Sequence, residues 1–284
     1  MKRVIALLCA AALAAGSASA QNFEPGKDTD VEIRGAVGTL RGTVRLPDEL
    51  GDDGRCPVVL VLHGLSSNRN TKSLATVVDS LCASGIATVR FDFNGHGRSD
   101  GRTVDMTLVN ETEDAAKMLR YVESLPFAGE IGVVGHSQGG TVAIMLCAAE
   151  DVGRIRSCVL MAPGAMICDY MRKGKFFGDE FDPEYPPDSI TFKKKIPIGR
   201  AYIKTAQMID IYGEATRYNG PMCVIHGSAD PTVPLSSGRK VARRARHAEL
   251  HVLKGMDHGF TQDRTAPAAI AASFFRRTLS TERR

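Results

Sequence analysis

The sequence predicts an α/β fold, with a mostly parallel central sheet, helices on both faces and a small inserted lid. Three observations lead there. Apolar strand-like runs alternate with amphipathic helical runs along most of the chain. Those runs are short, β-branched and almost continuously apolar, as in strands buried on both faces. A serine among glycines, "GHSQGG" at 135–140, stands where one such strand gives way to a helix.

The elements follow in order. After a polar lead, "VEIRGAVGTLRGTVRLP" reads as two antiparallel strands with Gly38 near the turn. "PVVLVLHG" is a strand, "NTKSLATVVDSLCASG" a helix ending at Gly85, and "IATVRFDF" a strand. "MTLVNETEDAAKMLRYVESL" is a helix, "EIGVVGHS" a strand, "GGTVAIMLCAAE" a helix and "RIRSCVLMAP" a strand. The alternation stops after Pro163 and resumes with the strand "PMCVIHG", the helix "LSSGRKVARRARH", the strand "AELHVLKG" and the helix "APAAIAASFFRRTLS". Residues 164–219, rich in charge, Pro and Gly, show no strand of the main sheet and read as an insertion over one end of it.

The first twenty residues, "MKRVIALLCAAALAAGSASA", have a positive start, an apolar stretch and a small-residue cleavage site. That is the layout of a secretory signal peptide, so the mature chain is expected to begin near Gln21 and to be periplasmic or extracellular. The rest, 21–284, is long enough for one large domain. No later segment is apolar for long enough to span a bilayer. The formal charge of +4 includes Lys2 and Arg3, so cleavage would leave +2. A balance that near neutrality makes no electrostatic case for nucleic acid. Six cysteines follow the leader, and none forms a metal-like CxxC pair. Cys147, Cys158 and Cys223 lie in apolar patterns as buried thiols, Cys168 falls in the insertion, and pairing of Cys56 with Cys82 is left open.

Gly135-His136-Ser137-Gln138-Gly139 fits G-x-S-x-G between a strand and a helix. Such a turn holds a nucleophile exposed above the sheet edge, and its glycines avoid steric clash. A serine hydroxyl needs a base to take its proton and an acid to orient that base. The expected chain order is Ser, acid, His. Asp230 in "VIHGSADPTVP" and His258 in "LKGMDHGF" both fall just past strands, on the sheet edge that carries Ser137. Among the competitors, Asp257 adjoins His258 too closely to turn back onto its ring. His226 lies within a strand as a packing residue, His247 and His251 flank one, and His136 is fixed in the turn. An oxyanion needs backbone donors, expected from Gln138 and from Leu65 in "LHGLSSN", with Gly64 allowing close approach and His63 steadying the loop. In "FDFNGHGRSDG", His96 and Ser99 are expected to serve turn geometry and the site wall.

Taken together, "LHGL", "DFNGHGRSDG", "GHSQGG", "FDPEYPPD", "GRAYIKTAQ", "VIHGSADPTVP" and "MDHGF" resemble the α/β-hydrolase cinnamoyl and feruloyl esterases. The likeness runs from about residue 30 to the C-terminus, and the two motifs inside the insertion are the most specific to that group. The resemblance implies the α/β-hydrolase fold, hydrolysis of hydroxycinnamate esters of plant cell-wall sugars or small alcohols, and no cofactor or metal. It also implies that Asp169 and Tyr202 of the lid hold the phenolic hydroxyl of the substrate. The chain departs from the family pattern at "RKGKFFGDE", where Phe176 or Phe177 replaces a polar side chain. Independently of the resemblance, Tyr170, Tyr185, Tyr202, Tyr212 and Tyr218 all lie in 164–219 with Phe176, Phe177, Phe181 and Phe192. Such residues give flat walls for another ring, or fill a small core. The partner is thus a small-molecule or oligosaccharide ester. An acetyl esterase or peptidase on the same frame is the rival reading, and a non-catalytic binding protein a more distant one.

Overall fold

The computed structural model describes residues 22–150, 153–193 and 195–280. The leader at 1–20 lies outside them. Strands β1 (Asp28–Arg34) and β2 (Thr39–Arg45) form the antiparallel pair, closed by a turn in which Gly35 N–H donates to the Gly38 carbonyl at 2.7 Å. There follow β3 (Cys56–Leu62), α1 (Lys72–Cys82), β4 (Ala87–Phe91), α2 (Leu108–Ser124), β5 (Ala128–His136), α3 (Gln138–Ala149) and β6 (Ser157–Met161). The insertion holds α4 (Met166–Arg172), the hairpin of β7 (Lys175–Phe176) and β8 (Asp179–Glu180), and the hairpin of β9 (Ser189–Phe192) and β10 (Ile196–Gly199). It ends with α5 (Arg200–Met208) and α6 (Ile211–Glu214). Then come β11 (Met222–Gly227), α7 (Leu235–Arg244), β12 (Ala248–Leu253) and α8 (Thr265–Thr278).

The main sheet has eight strands in the order β1-β2-β4-β3-β5-β6-β11-β12, parallel from β4 to β12. The continuous apolar runs are explained by layers on both faces. Val58, Leu60 and Leu62 of β3 belong to one core with α2, α3 and α7. Val59 and Val61 belong to the other, with Leu74, Val77 and Leu81 of α1 and Phe274 and Phe275 of α8. On α1 those residues recur at helical spacing, so one stripe faces the sheet.

Local signals set the ends of the elements. Thr107 caps α2 by accepting from the Asn110 N–H at 3.0 Å, while its own N–H donates to Asn110 Oδ1 at 2.7 Å. α3 is buried almost all round, because it lies between the sheet and the inserted segment. The two lid hairpins have strands of only two to four residues and join no edge of the main sheet. Among the described residues no helix is long and apolar enough to cross a membrane. Cys56, Cys82, Cys147, Cys158, Cys168 and Cys223 are all free thiols, and all but the half-buried Cys82 are buried.

Candidate active site

Ser137 ends β5 and opens α3 with φ 57° and ψ −122°, a left-handed φ that a serine tolerates only where its surroundings over-determine it. The turn is tight because β5 and α3 crowd one another. A Cβ on Gly135 would stand 2.2 Å from the Gly139 carbonyl oxygen. Ser137 N–H donates to Met161 O of the neighbouring strand at 2.9 Å, and its carbonyl accepts from Gly164 N–H at 2.9 Å. The hydroxyl is thereby presented at the carboxyl end of the sheet.

Two loops from later strands meet it there. Ser137 Oγ donates to His258 Nε2 at 2.9 Å, and His258 Nδ1–H donates to Asp230 Oδ2 at 2.7 Å. Asp230 follows β11 and His258 follows β12, so strands parallel to β5 deliver both to one edge. The Asp230 side chain is fully buried, and its Oδ1 accepts from the N–H groups of Thr232 and Val233, each at 2.8 Å. Burial alone would push that carboxyl up. Hydrogen bonds from His226 and His258 and from the Val233 backbone outweigh burial and hold it well below the usual range. The acid therefore stays charged opposite the imidazole.

His226 has a part that its position inside a strand conceals. Its Nε2–H donates to Val233 O at 3.0 Å and lies 3.3 Å from Asp230 Oδ2, so it braces the acid as well as packing beneath it. His136 Nε2–H donates to the His258 carbonyl at 2.8 Å. Burial, helped by the neighbouring His258, lowers His136 to about 4 and keeps it neutral. His63 steadies the loop after β3: its Nδ1–H donates to Gly64 O at 2.8 Å, and its Nε2 accepts from Phe93 N–H at 3.1 Å. Burial, with His96 nearby, lowers it to about 3. The loop runs hard against the serine, since a Cβ on Gly64 would stand 2.9 Å from Ser137 Cβ. Leu65 follows, and Gln138 opens α3, where first-turn N–H groups have no acceptor within the helix. Leu65 lines the same cavity as Ser137, and Gln138 follows the serine directly in the chain.

A cavity opens over Ser137 and His258. Its wall includes Gly64, Leu65, Thr71, Ile167, Phe177, Phe192, Lys193, Thr232 and Val233.

A model of the alpha/beta hydrolase family matches residues 58–273. The chain belongs to that family. Among solved structures, this α/β hydrolase is similar to Est1E from Butyrivibrio proteoclasticus with ferulic acid bound. The TM-score is 0.83 and the identity 26%, covering 87% of this chain and 98% of that one. Among curated proteins it is 28% identical to the mitochondrial palmitoyl-protein thioesterase ABHD10 of Homo sapiens, over 72% of this chain and 68% of that protein. It is also 25% identical to a monoacylglycerol lipase of Mycolicibacterium smegmatis, over 71% and 80% of the two chains.

The two lid residues of the α/β hydrolase expected at a substrate ring lie elsewhere. Tyr202 is fully buried, and its hydroxyl donates to Gln138 Oε1 at 2.7 Å, behind the serine rather than in the cavity wall. Asp169 pairs with Arg172 at 2.6 Å and Lys240 at 3.4 Å, pinning α4 to its surroundings. Burial pushes its carboxyl up, but those cations more than offset that and lower it. In their place Phe177 and Phe192 face the cavity, their rings 4.9 Å apart, with Phe176 buried behind them at 4.7 Å from Phe177. Tyr185 points to solvent and Tyr218 donates to Ile155 O, so the aromatic enrichment is divided between wall, lid core and surface. His96 and Ser99 are absent from the cavity wall. Ser99 Oγ donates to Asp92 O at 2.5 Å within the turn and accepts from Arg41 N–H at 2.8 Å, which ties the turn to β2.

Proposed function

We propose that the protein is an exported serine esterase that hydrolyses hydroxycinnamate esters, feruloyl and p-coumaroyl, of plant cell-wall material. The observation that carries the chemistry is the unbroken chain Ser137–His258–Asp230 at the floor of a lid-walled cavity. Ser137 Oγ attacks the ester carbonyl while His258 Nε2 takes its proton, and Asp230 holds the imidazolium that results. The oxyanion of the tetrahedral intermediate accepts from the N–H groups of Gln138 and Leu65. Collapse expels the alcohol, which takes its proton from His258, and leaves an acyl-enzyme. Water, deprotonated by His258, then attacks the acyl carbon, and the acid departs with Ser137 restored.

The aromatic acyl group is supported by Phe177 and Phe192 in the wall and by the likeness to Est1E, whose structure holds ferulic acid. The thioesterase and lipase relatives favour a second reading, a fatty acyl ester or thioester turned over by the same three residues. One panel separates them: methyl ferulate, methyl p-coumarate, an aryl acetate and a long-chain acyl thioester. The expected order puts the hydroxycinnamates first, and a wild type that hardly cleaves them would overturn the feruloyl reading. Ser137→Ala and His258→Ala should each lower turnover by several orders of magnitude. Asp230→Asn should cost less, roughly 10⁴ or below. Near-normal turnover in a folded Ser137→Ala would end the serine-esterase reading itself. Export is checked by fractionation and by the N-terminal residue of the recovered protein, expected near Gln21.

A further inference from the structure

Gln138, directly after the nucleophile, is buried, and its side-chain amide is held at both ends. Its Oε1 accepts from the hydroxyl of Tyr202 in α5 at 2.7 Å. Its Nε2 donates to Glu111 Oε2 in α2 at 2.8 Å. All three side chains are at least 99% buried, so neither bond has water competing for it. The same residue contributes, through its backbone N–H, one of the two donors proposed for the oxyanion. That peptide leaves a serine at φ 57°, where the chain's own preferences do not hold the turn and its neighbours must.

We infer that Tyr202 is a positioning residue for the oxyanion hole: by fixing the Gln138 side chain it aims the Gln138 N–H, and it thereby couples the inserted lid to turnover. Tyr202 is not among the residues that line the cavity, and its hydroxyl is bonded to Gln138, so it acts on the site through that side chain. Glu111 supplies the opposing anchor from the main domain, so the amide is gripped between lid and core. The consequence is specific. Loss of the Tyr202 hydroxyl should weaken the transition state for every ester alike, because the misplaced donor serves the carbonyl oxygen that all esters share.

The inference rests on the serine-esterase reading, and the experiment separates the two. Tyr202→Phe keeps the ring and deletes the hydroxyl. Removing an oxyanion donor outright costs about 10²–10³ in turnover, and a misaimed donor should cost less, about tenfold. The variant should show that fall in kcat, with KM nearly unchanged and the same factor for an aryl acetate and methyl ferulate. Phenylboronic acid, which becomes tetrahedral on Ser137, should bind more weakly by a comparable factor. Gln138→Met keeps the backbone N–H and deletes both side-chain bonds, so adding Tyr202→Phe to it should cost nothing further. Circular dichroism and the thermal midpoint identify any variant that has merely unfolded, and Gln138→Met then gives an independent reading of the same amide. Different factors for the two esters would make Tyr202 a substrate contact and overturn the inference. So would an unchanged kcat, or additive losses in the double variant. Near-normal turnover in a folded Ser137→Ala would instead remove the underlying reaction.

Discussion

A Cβ on Gly139 would sit 2.4 Å from the carbonyl oxygen of Leu62 and 2.5 Å from that of His63. Backbone cannot yield there, because those carbonyls end β3 and begin the loop that carries Leu65. Gly139→Ala should therefore shift α3 away from the sheet, costing about 1–3 kcal/mol in stability. It should also lower kcat more than KM, as thermal denaturation and steady-state kinetics would register. Such a glycine is legible from the pattern around Ser137. The partners of Tyr202, Asp169 and His226 are not. Tyr202 meets Gln138 across 64 positions and Asp169 meets Lys240 across 71, so their roles exist only once the chain has closed. His226 is closer in sequence to Asp230, yet only the bend after β11 turns the carboxylate toward it.

Elements of the main domain were legible because each is a sustained apolar run or carries a periodic apolar stripe. The stripe of α1 and the capping box of α2 both leave marks that a window of ten residues can hold. The lid hairpins leave none, since two-residue strands such as β7 and β8 show no period, and β7 is held by packing against α4. The loop after β3 is the element on which catalysis should turn. Leu65→Pro deletes its N–H and should lower turnover about 10²–10³-fold with native circular dichroism. Leu65→Ala keeps the donor and should chiefly change the fit of substrates, since that side chain lines the cavity. Equal turnover in the two variants would remove Leu65 from the oxyanion site.

On the scale of the whole molecule, α2 carries two acids into the core. Burial raises Glu111 to about 8, against a hydrogen bond from Gln138 and with Asp114 adding to the rise. Burial raises Asp114 to about 6, although it accepts from Ala36 and Asn94 N–H and so ties the β1–β2 turn to the loop after β4. Between their ordinary values, 4.5 and 3.8, and these raised ones, the unfolded chain binds fewer protons than the folded protein. Stability from these groups is then highest in acid and falls as pH rises toward 8. The thermal midpoint should decline from pH 5 to 8. Glu111→Gln, which cannot ionise, should flatten that decline by an amount on the order of a few kcal/mol at pH 8. Identical slopes in the two proteins would show that Glu111 ionises freely.

By itself the sequence determined the layered α/β fold, and it singled out Ser137, Asp230 and His258 as residues that share one sheet edge. It could do so because strand direction follows from the alternation of elements, and parallel strands send their carboxyl-terminal loops to the same side. Tertiary structure alone decided which lid residues face the cavity, that Tyr202 turns inward to Gln138 and Asp169 pairs with Lys240 of α7, and that His226 braces the acid. Those outcomes depend on neighbours that only the closed chain brings together, and a polar group that is buried must take its partner wherever the fold supplies one.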